Sequence, residues 1–77
     1  MNKARRKAIE DAIAILEGAK QDLESIRDEE QECYDNLPES LQYAEKGEQM
    51  QENCDDLDSA ASDLEDILDR LQEIIDR

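Results

Sequence analysis

GEQMQENCDDLDSAASDLEDILDRLQEII, residues 47–75, decides the fold. Its Gly47, Met50, Cys54, Leu57, Ala61, Leu64, Leu68, Leu71 and Ile75 are spaced alternately three and four residues apart, the seam of a helix that packs against another helix. Ala60, Ile67 and Ile74 recur every seven residues beside that seam. Upstream, Ile9, Ala12, Leu16, Ala19, Leu23, Ile26, Glu30 and Cys33 repeat the alternation, with Ile13 next to it. This predicts a first helix over about 3–33. Asp35-Asn36 is turn chemistry, and Pro38 suits the first position of a helix, where its missing N–H costs nothing. A connector over about 34–38 and a second helix over about 38–76 follow. Gly47 costs about 1 kcal/mol inside a helix relative to Ala, so either the helix breaks there, leaving 38–46 as a short separate segment, or Gly47 lets a neighbouring backbone come close; a continuous or kinked helix is favoured over a clean break.

The fold class is therefore all-α, an antiparallel two-helix hairpin forming a single domain over 1–77. Such a pair supplies only about 3–5 kcal/mol of net stability. Three apolar positions per heptad suit more than one neighbour. Assembly of hairpins through their seams into a helical bundle, a homo-oligomer, is the expectation.

The 77 residues hold nine bases and 23 acids, a net charge of -14, with no His, Trp or Phe. Residues 1–20 carry five bases against three acids, while the remaining 57 carry four bases and 20 acids. Lys3, Arg5, Arg6 and Lys7 thus form a basic cluster at the start of a helix, where cations oppose the helix dipole. Pairing with the acids near the end of helix two, from Asp63 to Asp76, is one explanation, and anion binding is the other. Direct nucleic-acid binding is disfavoured, because phosphates meet repulsion nearly everywhere beyond the first turns.

Without His, no Ser–His or Cys–His nucleophile pair forms, and no Gly-rich phosphate loop is present, so no enzyme and no catalytic residue are expected. Cys33 and Cys54 lack a C-x-x-C partner and fall about 15 Å out of register for a bridge, which reads as two reduced, buried thiols. No metal and no cofactor are expected. No apolar run approaches the roughly 20 residues of a membrane span. Glu10 and Asp11 interrupt the signal-like Met1–Lys7 opening, so the expected location is the cytoplasm.

Both aromatic residues, Tyr34 and Tyr43, fall around the connector with Asn36, Ser40 and Gln42. Phenol rings, amides and a hydroxyl are the groups that stack on and hydrogen-bond a planar ligand such as a nucleobase. They serve equally as the cap of a hairpin's closed end.

Tyr34-Asp35-Asn36-Leu37-Pro38-Glu39-Ser40-Leu41-Gln42, followed by Glu45-Lys46-Gly47-Glu48 and an acidic Leu/Ile heptad, resembles a group of short uncharacterised helical-hairpin proteins of bacteria, prophages and phages. The resemblance spans nearly the whole chain, but its specific part is the NLPESLQ-type connector. It implies a viral or mobile-element origin and a place in the cytoplasm of a bacterium or infected host cell. Small helical phage proteins include oligomeric sponges for the nucleotide messengers of bacterial immunity, an analogy of size and class.

Three non-enzymatic functions compete. In the first, an anti-defence sponge, Lys3, Arg5, Arg6 and Lys7 of one chain hold the phosphates of a nucleotide-type ligand beside Tyr34, Asn36, Ser40, Gln42 and Tyr43 of another. The second is an acidic inhibitor or adaptor, a DNA mimic for example, that binds a basic protein. A structural coiled-coil spacer is the third.

Overall fold

Asn2 starts the first helix: its side-chain oxygen accepts the Arg5 backbone N–H at 2.8 Å, replacing a hydrogen bond that the first turn lacks. In this computed structural model, which describes residues 1–77, the chain is helical and ordered as α1 (Lys3–Asp35), α2 (Glu39–Gln42) and α3 (Glu45–Asp76). Lys20 reaches Glu65, Arg27 reaches Asp58, and Asn53 Nδ2 donates to Glu30 Oε2. One number falls as the other rises, so α1 and α3 run antiparallel. The result is a rod measuring 59 × 14 × 12 Å between its outer Cα atoms.

On α3 the seam is the expected one. Gly47, Cys54, Ala61 and Leu68, seven residues apart, are its buried members, and Met50, Leu57, Leu64, Leu71 and Ile75 are half-buried. On α1 the expectation needs correction. Ala12, Ala19, Ile26 and Cys33 are exposed, and their place in the seam is taken by Ile13, Lys20, Arg27 and Tyr34 beside Ile9, Leu16, Leu23 and Glu30. The register explains the exchange: Arg27 lies level with Cys54, whose Sγ–H points at the Arg27 carbonyl, and one heptad step puts Lys20 level with Ala61. Small side chains on α3 leave room for long stems on α1. Those stems cover apolar surface while their charged heads reach water at the edge of the seam.

The second helix is broken, contrary to the expected kinked continuity. Pro38 precedes α2 as its N-cap rather than opening it, and its carbonyl accepts the Leu41 and Gln42 N–H groups at 2.8 and 3.1 Å. Tyr43 ends α2, Ala44 is extended, and α3 begins at Glu45. The break therefore comes three residues before Gly47, which serves another purpose. A Cβ at position 47 would stand 2.3 Å from the Gln42 carbonyl oxygen and 2.6 Å from that of Leu41. Only a residue without a side chain lets α2 fold down onto the first turn of α3. Gly18, by contrast, faces open space.

Opposite effects of Ala at the two glycines follow. Gly18→Ala should stabilise the chain by about 0.5–1 kcal/mol through helix propensity alone. Gly47→Ala should destabilise it by about 1–3 kcal/mol, the usual cost of overpacking. Urea unfolding followed by circular dichroism measures both.

Candidate functional site

Each long helix has two flanks beside its seam, and they differ in chemistry. Glu17, Glu24 and Gln31 of α1 face Gln51, Asp58, Glu65 and Gln72 of α3 along one side. The Lys20 ammonium emerges there and is held by Glu24 at 3.1 Å and Glu65 at 3.2 Å. The Arg27 guanidinium binds Asp28 and Asp58. Hydrogen bonding to Glu24 first, and then to Glu65, raises the Lys20 pKa, and Asp28 followed by Asp58 does the same for Arg27. A groove of about 400 Å³ runs along this ionic flank.

The other flank is apolar. A groove of about 480 Å³ opens between Ile26 and Cys33 of α1 and Asn53 and Leu57 of α3, with Glu29, Glu30 and Asp56 on its borders. Heptad recurrence continues that surface toward the open end of the rod through Ala12, Ile15 and Ala19 on α1 and Ala60, Ile67 and Ile74 on α3. Ile15 is 73%, Ile26 49% and Ile67 41% exposed. Of all apolar side chains only Cys54, Ala61 and Leu68 are buried, so the pair of helices leaves much of its apolar surface in water.

The ligand-binding residues expected from sequence fall into two groups at opposite ends of the rod. Lys3, Arg5, Arg6 and Lys7 occupy the first turns of α1. Lys7 pairs with Asp11 at 2.9 Å, a hydrogen bond that raises its pKa. None of the four forms an ion pair with α3, so the expected neutralisation by the acids from Asp63 to Asp76 is not made. Arg6 lies along the end of the seam, and its Nε is buried without a hydrogen-bond partner.

About 45 Å away, at 1.5 Å per residue, the connector groups serve its own folding. Asn36 caps α1 through its backbone N–H to Glu32. Gln42 Nε2 donates to the Tyr34 carbonyl at 3.2 Å, tying α2 to the end of α1. Ser40 is exposed, and Tyr43 is 76% exposed. Neither groove is bordered by Tyr34, Asn36, Ser40, Gln42 or Tyr43. The sequence shows the α3 half of the apolar flank in Ala60, Ile67 and Ile74 but assigns most of the α1 half to the seam, although Ile15 and Ala8, seven residues apart beside the Ala12–Ala19–Ile26 row, are the signal for it.

No helix is long and apolar enough to cross a membrane. Neither a family model, a curated protein nor a solved structure matches the chain.

Cys33 and Cys54 are both free, and their exposure differs. Cys33 is exposed at the end of the apolar flank, not buried as expected. Burial first, and then Glu30, Asp55 and Asp58, push the Cys54 thiol pKa up against the opposing effect of Arg27. At pH 8, Ellman's reagent should therefore modify the exposed Cys33 without any opening of the helices and Cys54 only as fast as the helices open. Because the folded-state pKa is raised, the stabilisation is complete below the ordinary thiol value. It is lost as pH rises past about 8.5, where the unfolded chain releases its proton first.

Proposed function

We propose that this chain is a non-enzymatic protein-interaction module whose working surface is the apolar flank running from Ala12 and Ile15 to Cys33 on α1 and from Asn53 to Ile74 on α3. The observation that supports this reading is the asymmetry of the flanks. One is closed by the Lys20 and Arg27 ion pairs, while the other exposes Ile15 and Ile26 of α1 and Ile67 of α3 to solvent. An exposed contiguous apolar strip rimmed by charge is what helix-to-helix docking uses. Helical partners, including further copies of this chain in a bundle, fit such a surface.

The charge around the strip suits the adaptor reading. Five acids, Asp11, Glu24, Asp28, Asp58 and Glu65, are in ion pairs, and the other 18 point a strongly negative field outward. A basic partner would be steered toward the rod, with a strong dependence on ionic strength. The nucleotide-sponge reading requires a second chain to carry the basic cluster to the tyrosines. Gln42 is engaged in holding α2, and neither groove is bordered by the connector residues, so the adaptor reading is preferred. Phage origin and anti-defence activity rest on the resemblance alone.

Photo-crosslinking in cells separates these readings. A benzophenone amino acid at position 15 or 67 should give covalent adducts with polypeptide, and the same probe at position 17 or 72 should give none. Equal adducts from both flanks, or none from 15 and 67, would overturn the assignment. Tyr43→Ala should leave the adduct pattern unchanged; its loss on that substitution would favour the ligand reading.

A further inference from the structure

We infer that the partner seated on the apolar flank is a second copy of this chain, packed antiparallel about a two-fold axis that crosses the rod near Ile67 of α3 and Glu17 of α1. The inference rests on the reading of that flank as a docking surface, and it is carried by the charges along the rim.

Two closed, two-fold arrangements bring the flank of one copy against the flank of another. With the axis along the rod, open end meets open end, and α1 of each copy lies on α3 of its partner. With the axis across the rod, open end meets closed end, and each helix lies antiparallel to its own copy. The apolar residues permit either arrangement. The outer rim of α3 is formed by Asp56, Asp63 and Arg70, one heptad apart, and continued by the C-cap Arg77, so two acids give way to two bases toward the open end. On α1 the corresponding residues are Ala8 and Ile15 toward the open end and Asp22 and Glu29 further along, with Arg5 in the neighbouring Ala12–Ala19–Ile26 row.

Placing the axis along the rod sets Asp63 against Asp22 of the other copy and Asp56 against Glu29, and leaves Arg70 and Arg77 facing Ile15 and Ala8. Turning the axis across the rod near Ile67 sets Asp63 against Arg70 and Asp56 against Arg77, each pair occurring twice. Arg5 then stands level with Glu29 of the other copy. Like charges facing one another are costly and opposite charges fix register, so the crossed axis is selected. The same placement centres Ile67 on its own copy, stacks Ala60 against Ile74, and brings Ile15 over Ala19. It also supplies Arg5 with the counter-charge that α3 of its own chain does not provide.

The overlap runs from about residue 57 to 77 of α3, about 30 Å long, and is two helices wide. It covers on the order of 600 Å² per copy, the lower range of specific interfaces. For two helices with three buried apolar side chains, that surface is a large addition to the core.

Sedimentation equilibrium of the full chain from 1 to 100 µM tests the assignment, with protein concentrations set to bracket the micromolar range typical of interfaces this small. The expected result is a reversible particle of twice the chain mass. Asp63→Arg and Arg70→Asp should each raise the dimer Kd by roughly tenfold or more, since two attractive pairs become repulsive. The double variant should return it to within about threefold of the natural chain, because the swapped pairs are again opposite in sign. Ile67→Asp should give a monomer of undiminished helix content, since that side chain lies outside the seam. Under air oxidation the natural chain should form no Cys33 self-disulfide, the two thiols being on the order of 50 Å apart.

A monomer throughout, a double variant that fails to recover, or ready Cys33 self-crosslinking would each overturn the antiparallel dimer. A monomeric chain that still crosslinks to a different polypeptide through positions 15 and 67 would overturn this inference and leave the docking surface standing.

Discussion

Two cations laid across the seam govern this structure. Lys20 and Arg27 occupy positions where a helical pair ordinarily places Leu or Ile, and they fit because α3 offers Ala61 and Cys54 opposite. Their stems fill the layer while their heads leave it on one side only, toward Glu24, Glu65, Asp28 and Asp58. The ion pairs are half-exposed and individually weak in water. Their effect is directional. One flank is closed by charge, which assigns every remaining apolar side chain beside the seam to the other flank.

How far this was legible in the sequence differs between the helices. The alternation on α3 is unbroken, and each of its positions lines the seam as read. On α1 the same rule chose the wrong half of the stripe. Ala12, Ala19 and Ile26 look more like seam residues than Lys20 and Arg27, because a pattern that scores polarity by residue type does not see a four-carbon stem lying over a small neighbour. The identity of that neighbour depends on interhelical register, which lies outside either helix's own sequence. The sequence favours a continuous or kinked helix over the break found at Tyr43 and Ala44 for a similar reason. Neither residue is a helix breaker; the interruption is enforced from a distance, by the Gln42 hydrogen bond to the Tyr34 carbonyl and by the room above Gly47.

The candidate site shows the limit more sharply. Concentrating both tyrosines near the connector makes that segment look like a ligand cradle, yet the Gln42 amide is occupied with a backbone carbonyl, Asn36 serves through its backbone N–H as the C-cap of α1, and Tyr43 projects into solvent. Polar residues around a tight turn have local hydrogen bonds to satisfy before any ligand arrives. The surface proposed for association is spelled instead partly in Ala60, Ile67 and Ile74, which the sequence places beside the seam, and partly in Ala12, Ala19, Ile26 and Cys33, which it assigns to the interior. Small and β-branched side chains at seven-residue intervals announce a packed face without saying which neighbour fills it.

The uneven placement of bases has a further consequence, in how the rod moves. Residues 1–13 and 64–77, which make up the open end, carry six of the nine bases and seven acids, whereas the rest of the chain carries three bases and 16 acids. A single copy, 59 Å long and 14 Å wide with its charge displaced toward one end, has a large permanent electric dipole along its axis, which an antiparallel second copy cancels. In the field of any charged surface it turns before it arrives. A positively charged surface draws the closed end forward, and the near-neutral end trails in solution. Tumbling of such a body is slow end over end and fast about its own axis. Approach orientation is thereby set at long range by electrostatics, leaving rotation about the rod axis to find which flank makes contact.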